Sequence, residues 1–89
     1  MACVSVNDPF VMKAWGEDRN VGQDVLMLSD GNGEFTASIG LEMDGSGFGL
    51  GTRSQRYAMI IDDGVVSSLN VEQGPGLDVS SAETILQQL

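Results

Sequence analysis

Thirteen acidic against four basic side chains in 89 residues give a net charge of −9, which repels nucleic-acid phosphates and anionic membranes and excludes both as partners. The chain is 42% apolar, enough for one small core, and no stretch approaches the roughly 20 apolar residues of a membrane span, so a soluble, cytoplasmic protein is expected. With no histidine and a single cysteine, Ser/Cys–His catalysis, most zinc sites and any internal disulfide or paired-cysteine redox motif are excluded.

The chain opens on a predicted strand, Ala2 to Val6, small and β-branched. Asn7-Asp8-Pro9 follows as a helix start, with Asp8 the N-cap and Pro9 the first helical residue. Phe10, Val11, Ala14 and Trp15 share one helical face, and Gly16 or Asn20 marks the stop. Val25-Leu26-Met27-Leu28 reads as a buried strand, completing a β-α-β unit. Asp30-Gly31-Asn32-Gly33 is a turn, and a short helix is predicted over Glu34 to Ile39.

Met43 to Gly51 is predicted to be a glycine-dense loop holding Phe48 and Leu50. Tyr57 to Ile61 and Val65 to Val71 are predicted strands. Asp63-Gly64 between them signals a two-residue type I′ turn, which places Arg56 opposite Val71. Ser80-x-x-Glu83 has the form of a capping box for a last helix with an Ala82, Ile85, Leu86, Leu89 stripe. The order β-α-β-(α)-β-β-α implies a thioredoxin-like α/β fold with a mixed sheet and a C-terminal hairpin plus helix.

Three features invite chemistry. Cys3 lies mid-strand with no basic neighbour in sequence, the setting of a small buried hydrophobe rather than a reactive thiolate. The Gly45–Gly51 loop has neither G-x-G-x-x-G spacing nor a following Gly-Lys-Ser/Thr, so it reads as a pocket-lining loop instead of a phosphate cradle. Arg53 and Arg56 hold half of the basic residues and precede an apolar strand. An arginine entering such a strand needs an anionic or acceptor-rich partner, and taken alone the two suit a structural ion pair with one of the acids.

Ala2-Cys3-Val4-Ser5-Val6-Asn7-Asp8-Pro9-Phe10-Val11 with Trp15-Gly16 resembles the middle of type-5 peroxiredoxins. So do Phe48-Gly49-Leu50-Gly51-Thr52-Arg53-Ser54-Gln55-Arg56-Tyr57-Ala58-Met59 and Asp63-Gly64-Val65-Val66. The final stretch, from Leu69-Asn70-Val71-Glu72 through Ile85-Leu86-Gln87-Gln88-Leu89, is similar to that family's end. The resemblance implies a thiol peroxidase in which a cysteine thiolate attacks peroxide and an arginine stabilises it, and Arg56 matches that arginine. Phe48 and Leu50 match the wall of the substrate pocket.

It further implies that the Pro-x-x-x-Thr-x-x-Cys segment lies upstream, so that residues 1–89 are a partial thioredoxin-like domain without its catalytic strand and helix, inactive alone. Cys3 matches a non-catalytic strand position, and no resolving cysteine stands in Gly76–Ser80. The parent is therefore expected to be of the one-cysteine type, without cofactor or metal. Its partners would be a peroxide and a thiol reductant (glutathione, glutaredoxin or thioredoxin), with homodimerisation a family habit. Two other readings stay open: a non-catalytic dimerisation or binding module of the same fold, and a redox protein acting through Cys3. Removal of a central strand also predicts a chain that is marginally stable or prone to aggregate.

Overall fold

Asp8 and Pro9 start the first helix as the sequence predicts: Asp8 Oδ1 accepts from Val11 N at 2.9 Å, and Pro9 begins a helix, α1, that runs Pro9–Asp18. It stops where Asn20 turns left-handed (φ 55°), with Asn20 N donating to Glu17 O and Val21 N to Gly16 O, a Schellman closure. The computed structural model describes residues 1–74 and 76–89, which fall into two units, Met1–Ser54 and Gln55–Leu89.

In the first unit, β1 (Ala2–Ser5) pairs in parallel with β2 (Leu26–Ser29), Cys3 opposite Met27. Helix α1 packs on β2. The residues it buries correct the predicted apolar face. Met12, 1% exposed, and Gly16 are the buried pair, one turn apart, while Phe10 is 84% exposed and Val11 and Trp15 are also exposed. Gly16 allows the close approach: a Cβ there would lie 2.9 Å from Met27 Cγ. The prediction of a buried strand over Val25 to Leu28 is likewise corrected. Leu26 and Leu28 are exposed, while α1 approaches the ladder on its Met27 side.

A five-residue helix, α2 (Glu34–Ser38), follows the predicted turn. Its N-terminus is capped from a distance by the buried Asp30, whose carboxylate accepts from Phe35 N, Thr36 N and Thr36 Oγ1 at 3.0, 2.9 and 2.6 Å. These bonds, the Thr36 hydroxyl foremost, hold the Asp30 carboxyl below its ordinary pKa.

Residues 42–54 are more ordered than a loop. Glu42–Asp44, β3, pairs antiparallel with Thr52–Ser54, β4, and Ser46–Phe48 forms a 3-10 turn between them. The ring closes on Gly45, whose N donates to Gly51 O at 2.7 Å and whose carbonyl accepts from Phe48 N and Leu50 N. Gly45 relieves crowding in this ring, since a Cβ would meet Leu50 Cβ at 3.0 Å and Gly51 O at 3.1 Å.

The second unit is a hairpin and a helix. β5 (Tyr57–Asp62) and β6 (Val65–Val71) meet at Asp63-Gly64, both at positive φ (51° and 78°), as a type I′ turn requires. The register slips between Ile60 and Ile61, so Ile61 faces Val66 but Ile60 faces Ser68. Ser67 is the extra residue of a bulge. The predicted Arg56–Val71 pairing is therefore corrected by one: Tyr57 faces Val71, and Glu72 N donates to Arg56 O at 2.9 Å.

The last helix, α3 (Ala82–Gln87), packs against β5. Its cap is Ser81, accepting from Thr84 N at 3.2 Å, not Ser80 as the capping-box spacing suggested. Ser80 is drawn away because its N–H and hydroxyl both bond Glu72. No helix among the described residues is long and apolar enough to cross a membrane.

Candidate functional site

Arg56 stands at the open mouth of the hairpin, one residue before β5, with its carbonyl held by Glu72 N and its side chain exposed. The ion pairs among the described residues, Lys13–Glu17 and Arg19–Asp18, do not include it. The acid placed to engage it is Glu72, since residues opposite one another in an antiparallel ladder project to the same face roughly 5 Å apart. That acid is otherwise occupied. Glu72 Oε2 accepts from Asp78 N at 2.7 Å, Ser80 N at 2.8 Å and Ser80 Oγ at 2.5 Å.

Those bonds, led by the Ser80 hydroxyl, lower the Glu72 pKa from its ordinary 4.5. A group with a depressed folded-state pKa adds stability above its unfolded value and loses it as pH falls through the folded one. Acid titration below about pH 4.5 is thus expected to loosen the 76–80 segment, followed by the amide exchange of Asp78 and Ser80. Glu72→Gln should flatten that pH dependence, and an unchanged acid profile in the variant would exclude the carboxylate as its cause.

Phe48 and Leu50 belong to the first unit, on the ring closed around Gly45, with 86% and 52% of their surfaces exposed. The ribbon that carries them is anchored by Arg53, whose Nη2 donates to Asn7 Oδ1 at 2.9 Å across the unit. Asn7 in turn donates from Nδ2 to Ser5 Oγ at 2.7 Å and accepts at its carbonyl from Ser29 Oγ at 2.5 Å. Arg53 thus has the acceptor partner that the sequence called for, an amide oxygen in place of a carboxylate. It ties the β3–β4 ribbon to the ends of β1 and β2.

Cys3 is half-buried in β1, and burial raises its thiol pKa. The thiolate is the nucleophile, and that shift disfavours it. Among the described residues no three Cys, Asp or Glu converge as metal ligands. Sequence reasoning missed Glu72, Asp30 and Asn7. Asn7 works through Ser29 and Arg53, distant in the chain, and Asp30 and Glu72 through groups five to eight residues ahead, beyond the usual capping spacings.

A parallel β-α-β unit in one part and an antiparallel hairpin with a helix in the other are the components of the thioredoxin-like α/β class. The redoxin family model matches residues 1–86, and the chain belongs to that family. It is 53% identical to the chloroplastic peroxiredoxin-2E of Arabidopsis thaliana and 56% identical to the chloroplastic peroxiredoxin-2E-2 of Oryza sativa subsp. japonica, each similarity spanning 100% of this chain. A crystal structure of reduced Prx3 from Vibrio vulnificus in complex with H2O2 superposes with a TM-score of 0.91 at 63% identity over 98% of this chain.

The chain spans 39% and 41% of the two plant relatives and 53% of the bacterial one. The expectation of a cytoplasmic protein is overturned by these relatives, two of which are chloroplastic.

Proposed function

We propose that the chain is the C-terminal half of a thiol-dependent peroxide reductase of the type-5 peroxiredoxin kind. Residues 1–89 form part of one redoxin domain, and Arg56 serves a cysteine carried on a preceding segment. The observation that carries this reading is similarity along the whole chain to peroxiredoxins longer than itself. The exposed setting of Arg56, outside the ion pairs found among the described residues, supports its part in it.

In this reaction a cysteine thiolate attacks one peroxide oxygen. The S–O bond forms as the O–O bond breaks, and the departing oxygen takes up a proton and leaves as water or an alcohol. The resulting sulfenic acid is attacked by a thiol (glutathione, glutaredoxin or thioredoxin), which releases water. A second thiol then frees the cysteine. Arg56 would stabilise the thiolate and the charge developing on the peroxide, since a guanidinium keeps its positive charge and donates in a fixed fork. Phe48 and Leu50 would line the apolar wall that keeps water out. A homodimer is the assembly this family membership suggests.

The residues present contain Cys3 as their one thiol, and its raised pKa and strand position argue against a peroxidatic role. The 89-residue chain is therefore expected to consume no hydrogen peroxide above background with glutathione or thioredoxin systems, and Cys3→Ser should change nothing. Joined to an upstream redoxin segment containing Thr-x-x-Cys, it should turn over peroxide. Turnover by the chain alone that vanishes in Cys3→Ser would refute the reading. A joined protein that folds yet stays inactive would favour a non-catalytic module.

A further inference from the structure

Arg56 and Glu72 face each other at the end of the hairpin, and an exposed arginine beside a glutamate ordinarily forms an ion pair. Here the pair is not made, and the reason lies in the segment that follows. Asp78 N, Ser80 N and Ser80 Oγ converge on one oxygen, Glu72 Oε2, within 2.8 Å. Together, the Ser80 hydroxyl and the two backbone N–H groups outweigh an exposed ion pair, because the latter must immobilise two long side chains in water for little net gain. The segment is itself held in place. Thr84 Oγ1 donates to Asp78 O at 3.0 Å, Asn70 Nδ2 donates to Val79 O at 2.8 Å, and Ser81 begins α3 immediately after.

We infer that Ser80 and the 78–80 backbone sequester the Glu72 carboxylate and so keep the Arg56 guanidinium available to an anionic partner. Glu72 and Ser80 are positioning residues: they touch no reacting group and act through Arg56. The inference deepens the peroxidase reading, on which its functional meaning rests, although the sequestration itself does not depend on it. Releasing the carboxylate would let it swing along the shared face onto Arg56, supplying a counter-charge that competes with a thiolate or a peroxide oxygen. The arrangement also accounts for the displaced helix cap, since Ser80 is committed to Glu72 and the capping falls to Ser81.

The test is the rate at which phenylglyoxal modifies Arg56 in the 89-residue chain, mapped by mass spectrometry with Arg19 as internal reference. Ser80→Ala is expected to slow modification of Arg56 about threefold while Arg19 keeps its rate, the modest change appropriate to an exposed ion pair. Ser80→Thr, which keeps the hydroxyl, should react like the parent. Ser80→Ala with Glu72→Gln should restore the parental rate, a recovery that simple loosening of the segment would not produce.

Glu72→Gln alone should leave Arg56 unchanged, because its carboxylate is engaged elsewhere. This variant decides the matter even if Ser80→Ala does not fold. Faster modification in Glu72→Gln alone would show that the pair already exists and overturn the inference, as would an unaltered Arg56 rate in folded Ser80→Ala. None of these readouts involves peroxide, so an inactive full-length protein would sink the peroxidase reading and leave the sequestration intact.

Discussion

Arg56→Met, in a protein joined to its Thr-x-x-Cys segment, is expected to lower kcat/KM for hydrogen peroxide by about 10²–10³, the cost of removing one preorganised charge-stabilising donor. The loss should appear largely in the pH dependence. Without the guanidinium the thiolate is less stable, so the rate should rise to its plateau at higher pH than in the parent. Arg56→Lys keeps the charge but loses the planar fork, and an intermediate rate is expected. A methionine variant as fast as the parent at every pH would remove Arg56 from the reaction. The measurement is steady-state peroxide consumption across pH, with circular dichroism to establish that each variant is folded.

Met12→Ala is the second large effect. Met12 is 1% exposed and lies where α1 meets β2, so truncation leaves a cavity in the small core of the first unit. Buried methionine-to-alanine changes cost about 2–5 kcal/mol. A small domain has a total stability of roughly 5 kcal/mol or somewhat more, so the variant should be largely unfolded or close to it at room temperature. Phe10→Ala, at an exposed position two residues earlier, should change stability by less than about 0.5 kcal/mol. Urea unfolding of the two variants separates them. Equal losses would mean that the apolar face predicted from sequence, and not the Met12–Gly16 face, is the packed one.

The contrast between these residues shows which parts of the fold could be read in advance. Asp8-Pro9 and Asp63-Gly64 act through their own backbone, a side-chain cap in one case and positive φ in the other, so their sequence signals held. Which face of α1 turns inward depends on what lies opposite it, and Met27 together with the absence of a Cβ at Gly16 selects the Met12 side. Helical periodicity grouped Phe10, Val11 and Trp15 correctly on a face but could not say that nothing in this unit covers it. The shift of the cap from Ser80 to Ser81 arose because the bonds of Ser80 to Glu72 outcompeted the local capping pattern, and no sequence signal announced the Ser67 bulge. The role proposed for Arg56 came from resemblance to a family, since its charge and position alone also suited a structural ion pair.

The bulge has a further consequence for what surrounds that arginine. Strands alternate sides with every residue, so inserting one residue in β6 inverts the parity of all pairings between the bulge and the hairpin mouth. With Ser67 in place, the neighbour across from the guanidinium is an acid that can be satisfied elsewhere. Without it, the neighbour would be Val71, a hydrocarbon unable to tune any charge. A single small serine, five residues from Glu72 and bearing no charge, thus determines whether the cation has a carboxylate or an aliphatic side chain for company.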